Sequence, residues 1–266
     1  MLNASIVIYK NTISEISPLI ESLKSSGVVS EIFVIDNSPD KLSDVELLNV
    51  NYIHRPDNPG YGKAHNIAIH KSIEQNADYH LVVNPDISFD PEILTKIVLF
   101  MNENAEIGHL MPKVFYPDGN IQYLCKLLPT PFDLFFRRFL PEKWTRERMN
   151  RFEMRESGYD RLMDVPYLSG CFMFLRVAAL KEVGTFDERF FMYPEDIDLT
   201  RRIHRKYRTV FYPEVSIVHH HAQSSYKSGK MMWIHTQNLI RYFNKWGWFF
   251  DKERKEINKS ILKQLK

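Results

Sequence analysis

The residues best suited to chemistry lie in Phe190-Phe191-Met192-Tyr193-Pro194-Glu195-Asp196-Ile197-Asp198-Leu199-Thr200-Arg201-Arg202, where carboxylates open a helix-like stretch directly behind an aromatic run. Taking a carboxylate out of water is unfavourable unless it is paired, hydrogen-bonded or used in proton transfer. A shielded acid of this kind is suited to accept a proton from a hydroxyl. Read alone, the stretch also has a plain structural explanation, because acids at a helix N-terminus are favoured by the macrodipole. Further ligand-type side chains are Asp86, in Asn84-Pro85-Asp86, and the run His219-His220-His221. A carboxylate with a histidine suits Mn²⁺ or Mg²⁺, whose preference for hard oxygen leaves places for water and a diphosphate. Zinc would want further Cys or His at defined spacing, which the sequence does not offer.

The elements that must position these groups are legible from periodicity. Short apolar runs alternate with amphipathic stretches, the pattern of βαβ units and a largely parallel sheet, so the fold class is α/β. Ser5 to Tyr9, Ile32 to Ile35, Asn51 to His54 and Tyr79 to Val83 read as strands, and helices are expected over Thr12 to Ser26, Lys63 to Asn76, Pro91 to Glu103 and Glu195 to Lys206. Thr12 and Glu15 are spaced as a capping box, and Asp90-Pro91 places an N-cap before a proline at the first helical position. Asp36-Asn37-Ser38 and Asn84-Pro85-Asp86 therefore stand at carboxyl ends of strands, where open α/β sheets bind ligands. The loop Asn58-Pro59-Gly60-Tyr61-Gly62 opens a helix, an arrangement able to present N–H groups to a phosphate or sugar and also common without any ligand. Pro117-Asp118-Gly119-Asn120 reads as a hairpin turn between 107–116 and 121–124. Thr209 to Tyr212 and Val215 to Val218 read as two short strands, and Ser169-Gly170-Cys171 interrupts an apolar run, where a glycine marks close backbone or ligand approach.

Bulk properties narrow the function. With 266 residues, 44% hydrophobic, the chain can bury one large core, and a formal charge of +2 argues against a general nucleic-acid binder. The expected organisation is a catalytic domain over 1–226, with an insertion at about 131–161, and a helical C-terminal extension over 227–266. The insertion interleaves Phe132, Phe135, Phe136 and Phe139 with Arg137, Arg138, Arg146, Arg148 and Arg151. From Arg241 to Lys266 there are eight Lys or Arg against three Asp or Glu, beside Trp246, Trp248, Phe249 and Phe250. Either stretch suits an anionic lipid surface or, equally, a solvated basic face. Cys125 and Cys171 are too few for a disulfide framework and read as reduced thiols, and neither a signal peptide nor a membrane-spanning run is expected.

Taken together, Ile6-Val7-Ile8-Tyr9-Lys10-Asn11, Val34-Ile35-Asp36-Asn37, Asn58-Pro59-Gly60-Tyr61-Gly62 with Asn66, Asn84-Pro85-Asp86, Ser169-Gly170-Cys171, Glu195-Asp196 with Asp198, Leu199 and Arg202, and His219 to Ser225 appear in an order that resembles inverting GT-A-fold glycosyltransferases. The resemblance is to the large bacterial family that includes rhamnosyltransferases for O-antigen, capsule and cell-wall synthesis. It implies a Rossmann-like, mostly parallel sheet flanked by helices. It also implies that Asp196 is the general base and Glu195 its assistant. Asp36 would read the nucleobase, with Tyr9 and Asn11 in the same pocket, while Asn58, Gly60, Gly62 and Asn66 would form the loop and helix start near the donor. Asn84 stands where the family's Asp-X-Asp motif has its first Asp, and Asp86 would hold Mn²⁺ or Mg²⁺ together with His219 or His221. The implied partners are a nucleotide sugar, with a dTDP-sugar favoured over UDP or GDP, a polyprenyl-diphosphate-linked saccharide acceptor, and the inner face of the cell membrane. A sugar-1-phosphate nucleotidyltransferase would want a Gly- and Arg-rich loop after the first strand, which Tyr9-Lys10-Asn11-Thr12 does not provide. A non-catalytic binding protein of the same fold would not need both Asp86 and Asp196.

Overall fold

In this computed structural model, residues 1–135, 142–220 and 229–265 are described. The amino-terminal half is built from βαβ units, as the periodicity implies. β1 (Leu2–Ile8) leads to α1 (Ile13–Ser25), β2 (Val29–Asp36), β3 (Asn51–His54), α2 (Tyr61–Glu74) and β4 (Tyr79–Val83). β1 pairs in parallel with both β2 and β4, and β2 with β3, so chain direction and order produce a switch point between β1 and β4. The Thr12 N–H donates to Glu15 at 2.7 Å, completing one half of the capping box that starts α1.

β5 (Ile87–Ser88) and α3 (Glu92–Glu103) follow, and the Asp90 carboxylate accepts the Glu92 N–H at 3.0 Å at the start of that helix. Then come β6 (Ile107–Phe115), β7 (Cys125–Lys126), α4 (Pro131–Leu134), α5 (Glu142–Phe152), β8 (Met163–Asp164), β9 (Tyr167–Leu168), β10 (Phe172–Arg176), α6 (Val177–Val183), α7 (Glu195–His204) and β11 (Arg208–His219). The main sheet runs β3-β2-β1-β4-β10-β6-β11-β5, with β10 antiparallel to both neighbours and β11 parallel to β6. α1 and α3 cover one face through Ile16, Leu19, Leu94 and Ile97. On the other face Ile69 of α2, Leu180 of α6 and Leu199 and Ile203 of α7 pack on Val82, Met173 and Leu175.

Three local expectations change. The turn at Pro117 to Asn120 forms, with the Tyr116 N–H 2.8 Å from the Asn120 carbonyl, but its return limb makes only an isolated bridge, Phe115 with Ile121. Both edges of β6 are already taken by β10 and β11, so the chain moves on and β7 pairs with β9 in a separate small sheet. The two short strands expected at 209–218 are one strand, β11, whose register against β6 shifts between Tyr212 and Ser216. Pro213 falls in that shift, where its missing N–H leaves no gap in the ladder. The two-residue strand β5 has no sequence signal and pairs antiparallel with the end of β11.

α8 (Gly229–Trp246) and α9 (Lys252–Gln264) close the chain, while the expected boundary at 226 and 227 lies outside the described residues. Both helices are tied to α7 by buried charge. Arg201 of α7, 1% exposed, donates to Asp251 at 2.8 and 2.9 Å and to Glu253 at 2.6 Å, with Trp246 stacked 4.1 Å from its guanidinium. Asp198, fully buried, accepts from Arg202 at 2.9 Å, Trp246 at 2.8 Å and Lys245 at 2.6 Å. Among the described residues no helix is long and apolar enough to cross a membrane, and both cysteines are buried free thiols.

Removing one side of such a buried network strands the remaining charges. Arg201→Met should therefore lower stability by roughly 3–5 kcal/mol, read as a fall in melting temperature of on the order of 10 °C. A variant that melts within 2 °C of the parent would show that this network does not hold α9 to α7.

Candidate functional site

Asp36 ends β2 and is almost fully buried. Its carboxylate accepts the Ser38 N–H at 2.8 Å, the Leu42 N–H at 3.2 Å and the Tyr52 hydroxyl. Burial first, and then this neighbouring carboxylate, push the Tyr52 hydroxyl up to about 12, so Tyr52 remains a donor across the physiological range. Asp36 therefore shapes its own loop from inside. Beside it the ends of β1 and β2 are joined by the Asn37 N–H to the Ile8 carbonyl at 2.9 Å. Tyr9 projects outward, 51% exposed, while its N–H is held by Asn11 Oδ1 at 3.1 Å and the Lys10 N–H donates to Ser38 at 2.6 Å. These residues gather at the carboxyl edge of the sheet, as their strand-end positions imply.

The glycine loop, for which the sequence leaves a ligand-binding and a purely structural reading open, packs closely on the chain itself. At Gly60, φ is +95°, and a Cβ there would come within 2.3 Å of the Phe191 carbonyl oxygen. A Cβ on Gly62 would meet Phe186 Cβ at 2.9 Å and Glu195 Cγ at 3.3 Å. The first N–H of α2, from Tyr61, donates to Phe191 at 2.8 Å. Asn66 has both ends of its amide on Phe186, donating to its carbonyl at 2.9 Å and accepting its N–H at 3.0 Å, with Glu188 3.3 Å away. Gly60, Gly62 and Asn66 are thus occupied in docking α2 against the segment that leads into α7. Asn58, at φ +42°, supplies the left-handed turn before them.

Asp86 and His219 do converge. β5 pairs Ile87 with His219, and the His220 N–H donates to the Asp86 carbonyl at 2.9 Å. This places His219 Nε2 3.4 Å from Asp86 Oδ1. Gln122 fixes the imidazole from behind: its Oε1 lies 3.0 Å from His219 Nδ1, and its amide nitrogen donates to the His219 carbonyl at 2.8 Å. Burial would depress the imidazole, but the Asp86 carboxylate and the Cys171 thiol outweigh it and push it up to about 10. With Nδ1 bonded from behind and Nε2 turned toward a carboxylate, the imidazole fits a shared divalent cation that displaces the Nε2 proton, since the outer partner sets which nitrogen faces the metal. Among the described residues no third His, Cys, Asp or Glu joins them. His220 is bonded to Ser88 at 2.9 Å, and His221 lies outside the described residues. Gln122 and Tyr61 carry no ligand-type signal in sequence, and only the fold reveals them.

Glu195 and Asp196 begin α7 and are 4% and 7% exposed. Asp196 Oδ2 accepts the Gly170 N–H at 3.0 Å and Oδ1 its neighbour Ile197 N–H at 2.8 Å. A Cβ on Gly170 would press on Asp196 Cβ at 3.2 Å, so this close approach favours glycine. Burial pushes Asp196 above its ordinary value, with the Gly170 and Ile197 N–H groups and the Lys126 charge acting against it. Glu195 is pushed up to about 8, by burial first and by Asp196 second, and its Oε2 has no hydrogen-bond partner. Asp196 is the acid whose charged form is supported by N–H donors, and Glu195 is the one kept protonated near neutrality. Asp198 takes no part in this, being committed to Arg202, Lys245 and Trp246.

A mostly parallel sheet with a carboxylate–histidine pair and a buried helix-start acid along its carboxyl edge is the architecture of a GT-A glycosyltransferase. The fold is shared with a solved GalNAc-T7 containing UDP, GalNAc and Mn²⁺, at a TM-score of 0.63 and 14% identity over 92% of this chain and 48% of that one. The chain belongs to the glycosyltransferase like family 2, whose model matches residues 31–238. Among curated relatives it is 28% identical over 186 residues to the N-acetylglucosaminyl-diphospho-decaprenol L-rhamnosyltransferase of Mycobacterium tuberculosis, covering 66% of this chain and 61% of that protein. It is 27% identical over 192 residues to the rhamnosyltransferase WbbL of Escherichia coli, covering 69% of each.

The Glu195 environment has a signed consequence for stability. Above its ordinary value of 4.5 the unfolded chain has lost the Glu195 proton, whereas the folded chain keeps it until about pH 8. The folded state then binds more protons, so stability falls as pH rises through that window. Glu195→Gln removes the effect and should be more stable than the parent at pH 8–9, by on the order of 2–4 kcal/mol, with the two converging near pH 4.5. Parallel stability curves for the two proteins across this range would refute the buried-acid reading.

Proposed function

We propose that this chain is an inverting glycosyltransferase that moves a sugar from a nucleotide diphosphate donor to a hydroxyl of a lipid-linked or growing surface glycan. The carrying observation is Asp196, buried at the first turn of α7 and held at both oxygens by N–H groups of Gly170 and Ile197. An acid fixed in this way can take the proton of an acceptor hydroxyl as its oxygen bonds to the anomeric carbon. The bond from that carbon to the diphosphate breaks on the opposite face, which inverts the configuration in one displacement. Asp86 and His219 would hold a divalent cation, which supplies charge neutralisation for the leaving diphosphate. Two protein ligands at that place would leave the rest of its shell to phosphate oxygens and water. Asp36, Asn37, Tyr9 and Asn11 would border the nucleotide, and Asn84 would lie near the donor.

L-rhamnose from a dTDP donor is the first choice of sugar, supported by the names of the mycobacterial and Escherichia coli relatives. The mycobacterial relative's decaprenol-linked substrate supports a polyprenyl-diphosphate-linked acceptor. Peripheral attachment to an anionic membrane face is supported by the surface of α9. Lys255, Lys259 and Lys263 recur at a spacing of four residues beside Arg151 and Trp248, around a cleft of about 570 Å³. Phe249 and Phe250 stand next to it, 67% and 95% exposed. Basic residues interleaved with exposed aromatics suit an anionic lipid interface.

Incubation with a panel of nucleotide sugars, Mn²⁺ and a polyprenyl-diphosphate-linked acceptor should release nucleotide diphosphate. Asp196→Asn should lower that release by roughly 10²–10⁴-fold while nucleotide binding, followed by thermal shift, is retained. Unchanged turnover in Asp196→Asn would remove it as the base. Sedimentation with phosphatidylglycerol vesicles at low salt should carry the protein down, and Lys255, Lys259 and Lys263 changed together to Gln should leave it in the supernatant. Equal sedimentation of both proteins would exclude this face as the attachment surface.

A further inference from the structure

One side chain outside the reacting groups bridges the loops that carry Asn84 and Gly170. Tyr61 opens α2, and its ring packs edge-on against His65 at 4.4 Å and near Phe186 at 6.4 Å. Its N–H holds Phe191, in the aromatic run before Glu195, at 2.8 Å. Its hydroxyl lies 2.8 Å from the carbonyl oxygen of Gly170 and 2.9 Å from Asn84 Oδ1. Gly170 is thereby held at both ends, its carbonyl by Tyr61 and its N–H by Asp196 at 3.0 Å. The next carbonyl, of Cys171, accepts the Asn84 N–H at 2.9 Å, so the donor-side and base-side loops are stitched at two adjacent peptides.

Hydrogen-bond inventory decides how the hydroxyl is used. A phenol has one proton to give, and the Gly170 carbonyl can only accept. An asparagine amide has the same shape in either orientation, so its neighbours decide which end faces them. One proton cannot serve both oxygens, so with the Asn84 amide flipped end for end all three groups are satisfied: Tyr61 donates to Gly170 and Asn84 Nδ2 donates to the Tyr61 oxygen. That orientation turns Asn84 Oδ1 away from Tyr61, and Asn84 is itself half-buried.

We propose that Tyr61 is the positioning residue of the transfer reaction: through Gly170 it fixes the N–H that holds Asp196, and through Asn84 it aims an amide oxygen at the donor's phosphate side. The assignment rests on the proposed transfer chemistry. Its physical consequence is defined at Asp196. A hydrogen bond to the charged form favours that form, so loosening Gly170 weakens the support and Asp196 takes up its proton at higher pH. The other charges facing Asp196 are Glu195 on its own helix and Lys126 on β7, and replacement of the Tyr61 hydroxyl leaves both in place.

The test is Tyr61→Phe in the full chain, which keeps the ring and its packing. Two independent readouts are used: the pH dependence of kcat with the affinity for dTDP, and carbon-13 NMR titration of the Asp196 carboxyl, assigned by its loss in Asp196→Asn. The expected result is a folded protein whose kcat falls roughly tenfold or more, whose dTDP affinity changes by less than about threefold, and whose acidic limb and Asp196 titration both move to higher pH. Rescue of kcat at alkaline pH belongs to the same outcome. An unmoved Asp196 titration overturns the assignment, whether kcat falls or not, because a merely structural hydroxyl would lower activity without moving the acid. A variant that fails to fold also overturns it, showing the hydroxyl to be a stability element. A parent protein that transfers no sugar from any donor sinks the transfer reading, and the carboxyl titration still decides the role of Tyr61.

Discussion

A carboxylate taken out of water at the first turn of α7 sets the demand that most of this structure meets. Asp196 keeps a usable charged form only because rigid backbone donors are placed on it, and backbone is rigid only when its other groups are also bonded. Gly170 satisfies this by having no side chain to intervene and by being held at its carbonyl. Glu195, one residue earlier, has no such donors at Oε2 and is pushed toward its protonated form. Two adjacent acids on one helical turn therefore acquire different charge states from their surroundings alone.

The same demand explains the far end of α7. A helix whose first turn must hold position to within fractions of an ångström needs its later turns fixed as well. Asp198 and Arg201 provide this with buried ion pairs to Lys245, Asp251 and Glu253, and Arg202 caps the α6 end through the Val183 carbonyl at 2.7 Å. The C-terminal helices thus belong to the support of α7 and, through it, of Asp196. Their exposed lysines and aromatics face away from this contact and are free for a different task.

Much of this was legible in the sequence because its signals are local. The strands of the amino-terminal half, the capping box at Thr12, the cap at Asp90 and the placing of Asp36 and Asp86 at strand ends follow from periodicity and side-chain chemistry within a few residues. What escaped depends on pairing between distant segments. β5 is two residues long and exists because the end of β11 reaches it, yet it is what brings Asp86 to His219. Gln122 and Tyr61 look ordinary in sequence, and their roles arise from residues 97 and 109 positions away. Gly60, Gly62 and Asn66 carry a signal that the sequence alone leaves ambiguous. A glycine-rich helix start is equally the mark of a ligand loop and of a close helix contact, and only the Phe186 and Phe191 backbone distinguishes them.

Residue 84 joins these threads. A carboxylate there would have only oxygen to offer, and it would compete with the Gly170 carbonyl for the single Tyr61 proton. The amide of Asn84 can instead give a proton to Tyr61 and still present an oxygen on its other side. It does so without adding a second negative charge beside Asp86, where like charges would oppose one another and raise the proton affinity of both. The amide therefore weakens the local field available to a cation but frees the phenol to hold Gly170. Tyr61 and Asn84 are in this sense chemically matched. The smaller charge beside Asp86 and the firm placement of Gly170 on Asp196 follow from one choice of side chain.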